Sequence, residues 1–173
     1  MPNWCNNTIT IRSNKKEIDR IEKFLNENEG KDWFTYFRPM PEALKENGWY
    51  EWSINNWGCK WNCDAQDWVR EDEETISFWY DSPWGPPMTL YEYMTELEFD
   101  VRTMYHEEGM CFVGEFVDGF NDQYEYSDLE SLEYIPEHLI EQWCQRETLE
   151  YREIEEDYED ESDEIKWICN ARG

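Results

Sequence analysis

Through "CNNTITIRS" large and small side chains alternate so that Cys5, Asn7, Ile9 and Ile11 share one face. The β-branched residues there favour extended backbone, which predicts a strand. The period then lengthens. Asn14 followed three residues later by Glu17 has the form of a capping box, and Ile18, Ile21 and Leu25 recur at one-face helical spacing with Phe24 beside them, so a helix follows and Gly30 ends it. The dense aromatics of "WFTYFRPMPEAL" are closed by two prolines, and a residue that cannot donate to a ladder marks a covering loop or short edge segment. In "WYEWSINNWGCKWNC" the large residues occupy even positions at Tyr50, Trp52 and Ile54, then odd ones at Trp57, Cys59, Trp61 and Cys63. A period of two whose parity switches predicts a strand broken by a β-bulge or tight turn near Asn55, Asn56 and Gly58.

Beyond the acidic turn "REDEE", "TISFWYDS" places Ile76, Phe78 and Tyr80 on one face of another strand, and "SPWGPP" breaks it. Thr89 and Glu92 repeat the capping-box spacing ahead of a second apolar stripe, Leu90, Tyr93, Met94 and Leu97, which predicts a second helix. "VRTMYH", the turn "EEG" and "MCFVGEFV" read as an antiparallel hairpin, with Val101, Thr103 and Tyr105 set against Cys111, Val113 and Val117. The order is β, α, β, β, α, β, β, an α+β chain. Past Asp118, Pro136 suits the first turn of a helix whose stripe is Leu139, Ile140, Trp143 and Cys144. From Glu147 the apolar positions thin to Leu149, Tyr151, Ile154 and Tyr158, so this helix should fray before "EDESDE", and "IKWIC" reads as a returning strand or docking tail. The expected division is a body over 1–120 and an acidic helical extension over 121–173.

Charge sharpens that division. The 173 residues carry 17% aromatic residues, which implies a core, but also a net charge of −27. Between Glu115 and Glu164 stand 20 carboxylates against Arg146 and Arg152, a balance of −18. Such a block repels nucleic acid and anionic membranes and attracts basic protein surfaces. The opening "MPNWCNN" lacks the features of a signal peptide and no 18-residue apolar run occurs, so a cytoplasmic protein with reduced thiols is expected.

The chemical candidates are weak by comparison. On a strand Cys59 and Cys63 would lie roughly 13 Å apart, too far to share a metal or form a disulfide unless the chain turns at Gly58 and brings in Cys5 or Cys169. His106, expected at a hairpin turn, and His138, at a helix start, have no nucleophile motif beside them. Gly119 follows Asp118 directly, which does not suit a calcium loop. Exposed sheet aromatics could stack single-stranded nucleic acid, but the basic group Arg12, Lys15, Lys16, Arg20 and Lys23 is interrupted by acids. No catalytic residue, metal or cofactor is therefore assigned. Partner binding falls instead to Glu147, Glu150, Glu153, Glu155, Glu156, Asp157, Glu159, Asp160 and Glu161, carboxylates that on a helix approximate the charge spacing of a DNA backbone.

The segments "MPNWCNN", "NNWGCKWN", "SPWGPP" and "GMCFVGEFVDG", in this order, resemble the YubB-type ferredoxin-like family of phage and plasmid proteins, over roughly residues 1–120. That resemblance implies a βαββαβ body with an extra hairpin strand and a setting in a mobile element. It supplies no catalytic residues. Trp57, Gly58, Lys60 and Trp61 are signature positions within it, and Lys60 is expected to pack its stem over tryptophan. The family pattern has a non-cysteine residue at Cys59 and a small or polar one near Cys63, a departure that favours inert thiols. The function expected is that of a non-enzymatic accessory protein that binds the basic surface of a host or defence protein, a nucleic-acid-binding enzyme being one candidate. The alternatives are an enzyme using paired carboxylates in an aromatic cleft, for which a deep pocket holding two carboxylates about 5 to 10 Å apart, one of them shielded by tryptophan, would speak, and an assembly component showing a wide exposed aromatic patch.

Overall fold

β1 (Trp4–Arg12) buries Cys5, Asn7, Ile9 and Ile11 on one face, and it becomes the third strand of a six-stranded antiparallel sheet ordered β2-β3-β1-β4-β5-β6. The computed structural model describes residues 3–152. The remaining strands are β2 (Gln66–Arg70), β3 (Thr75–Pro83), β4 (Asp100–Glu107), β5 (Phe112–Val117) and β6 (Phe120–Glu125). The chain is thus a mixed α+β protein, dividing into one unit up to Glu125 and another from Tyr126. The sheet runs past the expected boundary at 120.

α1 (Lys15–Glu27) starts where the capping signal places it. The Asn14 side chain accepts from the Glu17 N–H at 3.1 Å, and Ile18, Ile21 and Leu25 are buried. Gly30 donates to the Leu25 carbonyl at 2.8 Å just past the helix end. α4 (Met88–Glu96) buries Leu90, Tyr91 and Met94, so Tyr91 takes the place expected for Tyr93, and Leu97 is exposed just past the helix end. These two stripes, Ile9 and Ile11 of β1, Ile76, Phe78 and Tyr80 of β3 and Val101 of β4 form one core, into which Trp33, Phe34 and Phe37 are packed from the aromatic segment. Of the two expectations for that segment it is the covering one and not the edge one, with a helical turn, α2 (Phe34–Phe37), and a 3-10 turn at Glu42–Leu44.

The expected strand over "WYEWSINN" is instead a helix, α3 (Trp49–Asn56). Ser53 Oγ and Asn56 Nδ2 each donate at 2.8 Å to the carbonyl four residues back, a bond that an extended chain cannot offer. The alternation misleads because its large residues are not the core ones: Tyr50 and Ile54 are exposed, and Ser53 is buried. The sheet position is taken by β2, five residues of which none is buried.

Two further expectations are corrected. Thr89 caps nothing, because α4 begins at Met88 behind Pro87 and has no side-chain cap bond. In the β4–β5 hairpin, Thr103 and Tyr105 face Phe116 and Gly114, not Val113 and Val117. Glu107 stays in the strand and its carboxylate pins the turn, accepting from Gly109 and Met110 N–H at 2.8 and 2.6 Å, so the loop is one residue longer than "EEG" and the parity flips. β5 returns into β6 through Asp118 and Gly119, both at positive φ (53° and 82°), the backbone of a two-residue type I′ turn.

The second unit holds α5 (Glu137–Gln142), with Leu139 and Ile140 buried and Pro136 at its cap position, just outside the first turn. Trp143 and Cys144 do not continue the stripe. Cys144 takes φ +49° and interrupts the helix, which resumes over 145–152. The expected "IKWIC" element lies outside the described residues.

Candidate functional site

α3 hands the chain directly to "WGCKWNC". Gly58 lies at φ +86°, and a Cβ there would come within 2.9 Å of the Thr89 nitrogen. Only glycine permits both the left-handed turn and this approach to the start of α4. The Leu90 N–H donates to the Trp57 carbonyl at 3.2 Å, and the Trp57 Nε1–H donates to the Arg38 carbonyl at 2.9 Å. Trp57 is buried against Phe34 and Trp52 at centroid distances of 5.6 and 5.0 Å. Trp57 and Gly58 therefore fix the loop.

The turn at Gly58 overturns the expected 13 Å separation of the thiols. Cys59 and Cys63 both donate to the Trp61 carbonyl, at 3.2 and 3.8 Å, which sets the two thiols beside one another. Burial, then the Cys59 contact, pushes the Cys63 thiol well above its ordinary value. Cys5 is pushed up by burial and by the Glu107 carboxylate. Protonated thiols in apolar surroundings make poor nucleophiles and poor metal ligands. Among the described residues no group of three or more His, Cys, Asp or Glu is placed to hold a metal. Cys169 lies outside them.

Lys60 and Trp61 turn the other way, towards the surface. Trp61 lies 6.2 Å from Trp4 and 6.0 Å from Trp84, centroid to centroid. The Lys60 ammonium sits 5.0 Å from the centre of the Trp61 ring and 5.1 Å from that of Trp84, so its charge lies over the indoles. Trp4 and Trp84 are about half exposed, at 47% and 48%. Three of the quoted segments meet here, "MPNWCNN" through Trp4, "NNWGCKWN" through Lys60 and Trp61, and "SPWGPP" through Trp84. Asn7 binds two of them from below, donating to the Cys5 carbonyl at 2.7 Å and to Ser82 Oγ at 2.8 Å, while Ser82 donates to the Gly85 carbonyl at 2.8 Å. Tyr91 donates to Asn7 Oδ1 at 3.4 Å and shares a hydrogen bond with the Tyr80 hydroxyl.

Beside the indoles opens a cavity of about 270 Å³, its wall including Trp4, Trp61, Asn62, Asp64, Gln66 and Asp81. Asp81 Oδ1 accepts from Asn6 Nδ2 at 2.6 Å, and Asp64 Oδ1 accepts from the Asp32 N–H at 3.0 Å. Asn62 is committed to the scaffold, its Oδ1 taking the Phe34 and Cys63 N–H groups at 3.0 and 2.9 Å.

No family model matches the chain, and no curated protein does. Among solved structures it is similar to the crystal structure of protein api92 from Yersinia pseudotuberculosis, of the family DUF1281, with a TM-score of 0.50 and 11% identity, over 73% of this chain and 99% of that one. At this identity the likeness concerns the fold alone.

Of the acidic positions singled out in sequence, Glu147 and Glu150 are exposed on the helical stretch 145–152, and Glu153, Glu155, Glu156, Asp157, Glu159, Asp160 and Glu161 lie outside the described residues. His106 is not at the hairpin turn but buried within β4, opposite Asn6 and Val113, and His138 is exposed on α5. Trp4, Trp84, Asp64 and Asp81 escaped the sequence reading as site residues. Two of them were visible as the tryptophans of "MPNWCNN" and "SPWGPP", but their meeting depends on Trp4 pairing with Pro83 across 79 residues of chain.

Proposed function

We propose that this chain is a non-enzymatic accessory protein of a phage or related mobile element, working in the cytoplasm, that binds the basic surface of a host or defence protein by displaying carboxylates in the manner of a nucleic-acid mimic. One observation carries this reading: eight of the fifteen cations that could offset the acids already stand against neighbouring carboxylates. Lys15, Arg20, Lys23, Lys31, Lys45, Arg70, Arg102 and Arg146 all stand in ion pairs of 2.6–3.6 Å, while the chain as a whole keeps 42 acids against 15 bases. Among the described residues most of the other acids are exposed, buried Glu107 being an exception, and they attract cationic partners. A ferredoxin-like body belongs to the proposal, supported by the central order β2-β3-β1-β4 with α1 and α4 as the connections and β5-β6 as the added hairpin. The mobile-element setting rests on the resemblance of the four quoted segments.

Asp64 and Asp81 beside two indoles are also what an enzyme with paired carboxylates would show. Both already accept protein hydrogen bonds in an open cavity, an arrangement better suited to holding a ligand than to passing protons. Affinity purification from host lysate at low and at high salt tests the main reading. A basic protein should be retained at low salt and released at high salt; recovery of no basic protein at low salt counts against it.

A further inference from the structure

We propose that the cavity between Trp4, Trp61, Asp64 and Asp81 is the anchor point of the interface and takes one arginine side chain of the partner. The inference rests on the reading of this chain as an acidic binding protein, and it adds a specific residue type and place to a diffuse attraction.

Size, shape and charge agree. A cavity of about 270 Å³ suits a single side chain and falls just short of the ~300 Å³ at which small-molecule sites begin. Its walls combine indole surface with carboxylates, the two groups that a guanidinium satisfies together by stacking its plane and presenting its fork of N–H donors. Asp81 spends one oxygen on Asn6 and Asp64 one on the Asp32 N–H; among the described residues no hydrogen bond reaches the second oxygen of either, which can receive a donor. Trp61 already accepts a cation within the protein, since the Lys60 ammonium lies over it at 5.0 Å. Lys60 sits between Trp61 and Trp84 and is not part of the cavity wall, so the pocket keeps two carboxylates of its own. Buried anchors of arginine against tryptophan are a common way for a few residues to carry most of an interface.

The full chain would be titrated with short, otherwise uncharged, end-blocked peptides bearing one arginine, one lysine or one citrulline, the last being the neutral isostere of arginine. The readout is the indole N–H resonances of Trp4 and Trp61. The arginine peptide should shift both, the lysine peptide less, and citrulline should bind about tenfold more weakly or not at all. Asp81→Asn and Trp61→Phe, each checked for an unchanged far-UV spectrum, should weaken the arginine peptide about fivefold or more. Poly-lysine binding, which reads the acidic surface as a whole, should change less than twofold. Equal binding of the arginine and citrulline peptides, or variants indistinguishable from the parent, overturns the anchor. If poly-lysine still binds in that case, the acidic-surface reading stands without it. If poly-lysine fails as well, both fall.

Discussion

The buried hydroxyls and thiols beneath the aromatic patch make the protein sensitive to alkali. Tyr80 and Tyr91 are pushed well above their ordinary values by burial, and Cys5 and Cys63 move the same way for the same reason. The folded state therefore keeps protons that the unfolded chain releases, at about pH 8.5 for a thiol and about 10 for a phenol. The stabilisation is complete below those values and is lost as pH climbs through them. Urea midpoints should be level from about pH 7 to 8, decline above about 8.5 and fall more steeply beyond about 10; a level midpoint up to about pH 11 refutes this account. Little of this was legible in sequence. Trp57 and Trp61 stand four apart with the same parity, yet one is sealed in the core and the other is only half-buried, because the chain turns between them at Gly58.

Local signals differ in worth from one element to the next. Asn14 and Thr89 each precede an acid at capping-box spacing, but only Asn14 makes the bond. Replacing Asn14 by Ala should cost about 1 kcal/mol, within the usual ~0.5–2 for a lost cap. The same change at Thr89 breaks no cap bond, and its urea midpoint should move less. Equal shifts for the two variants would show that the Asn14 bond contributes nothing. α4 starts where "SPWGPP" sets it, since consecutive prolines fix the entry backbone before any side chain can cap it. The Asp118–Gly119 turn had a legible signal, an Asp-Gly pair between two β-prone runs. That pair alone does not reveal the hairpin, because the returning strand, "FNDQYE", is mostly exposed and carries no alternation.

At the scale of the whole molecule, a net charge of −27 acts on stability and on binding with opposite signs. Mutual repulsion of the carboxylates strains the folded chain, so salt that screens it should stabilise. Raising ionic strength from about 0.01 to 0.15 M shortens the screening length from ~30 to ~8 Å, and the melting temperature followed by circular dichroism should rise. A fall over that range would show that the ion pairs, such as Arg70 with Asp19 and Glu22 at 2.7 and 2.8 Å, outweigh the repulsion. The same salt should weaken the proposed partner complex. The sequence alone determined the charge excess, the buried faces of β1 and β3 and the stripe of α1, because side-chain period, capping and net charge are properties of neighbouring residues. It did not determine that Trp4, Trp61 and Trp84 would share a surface, that Cys59 and Cys63 would meet, or that residues 49–56 would coil. Those depended on strand pairing and on competition for places in the sheet, free energies that exist only once distant segments are packed together.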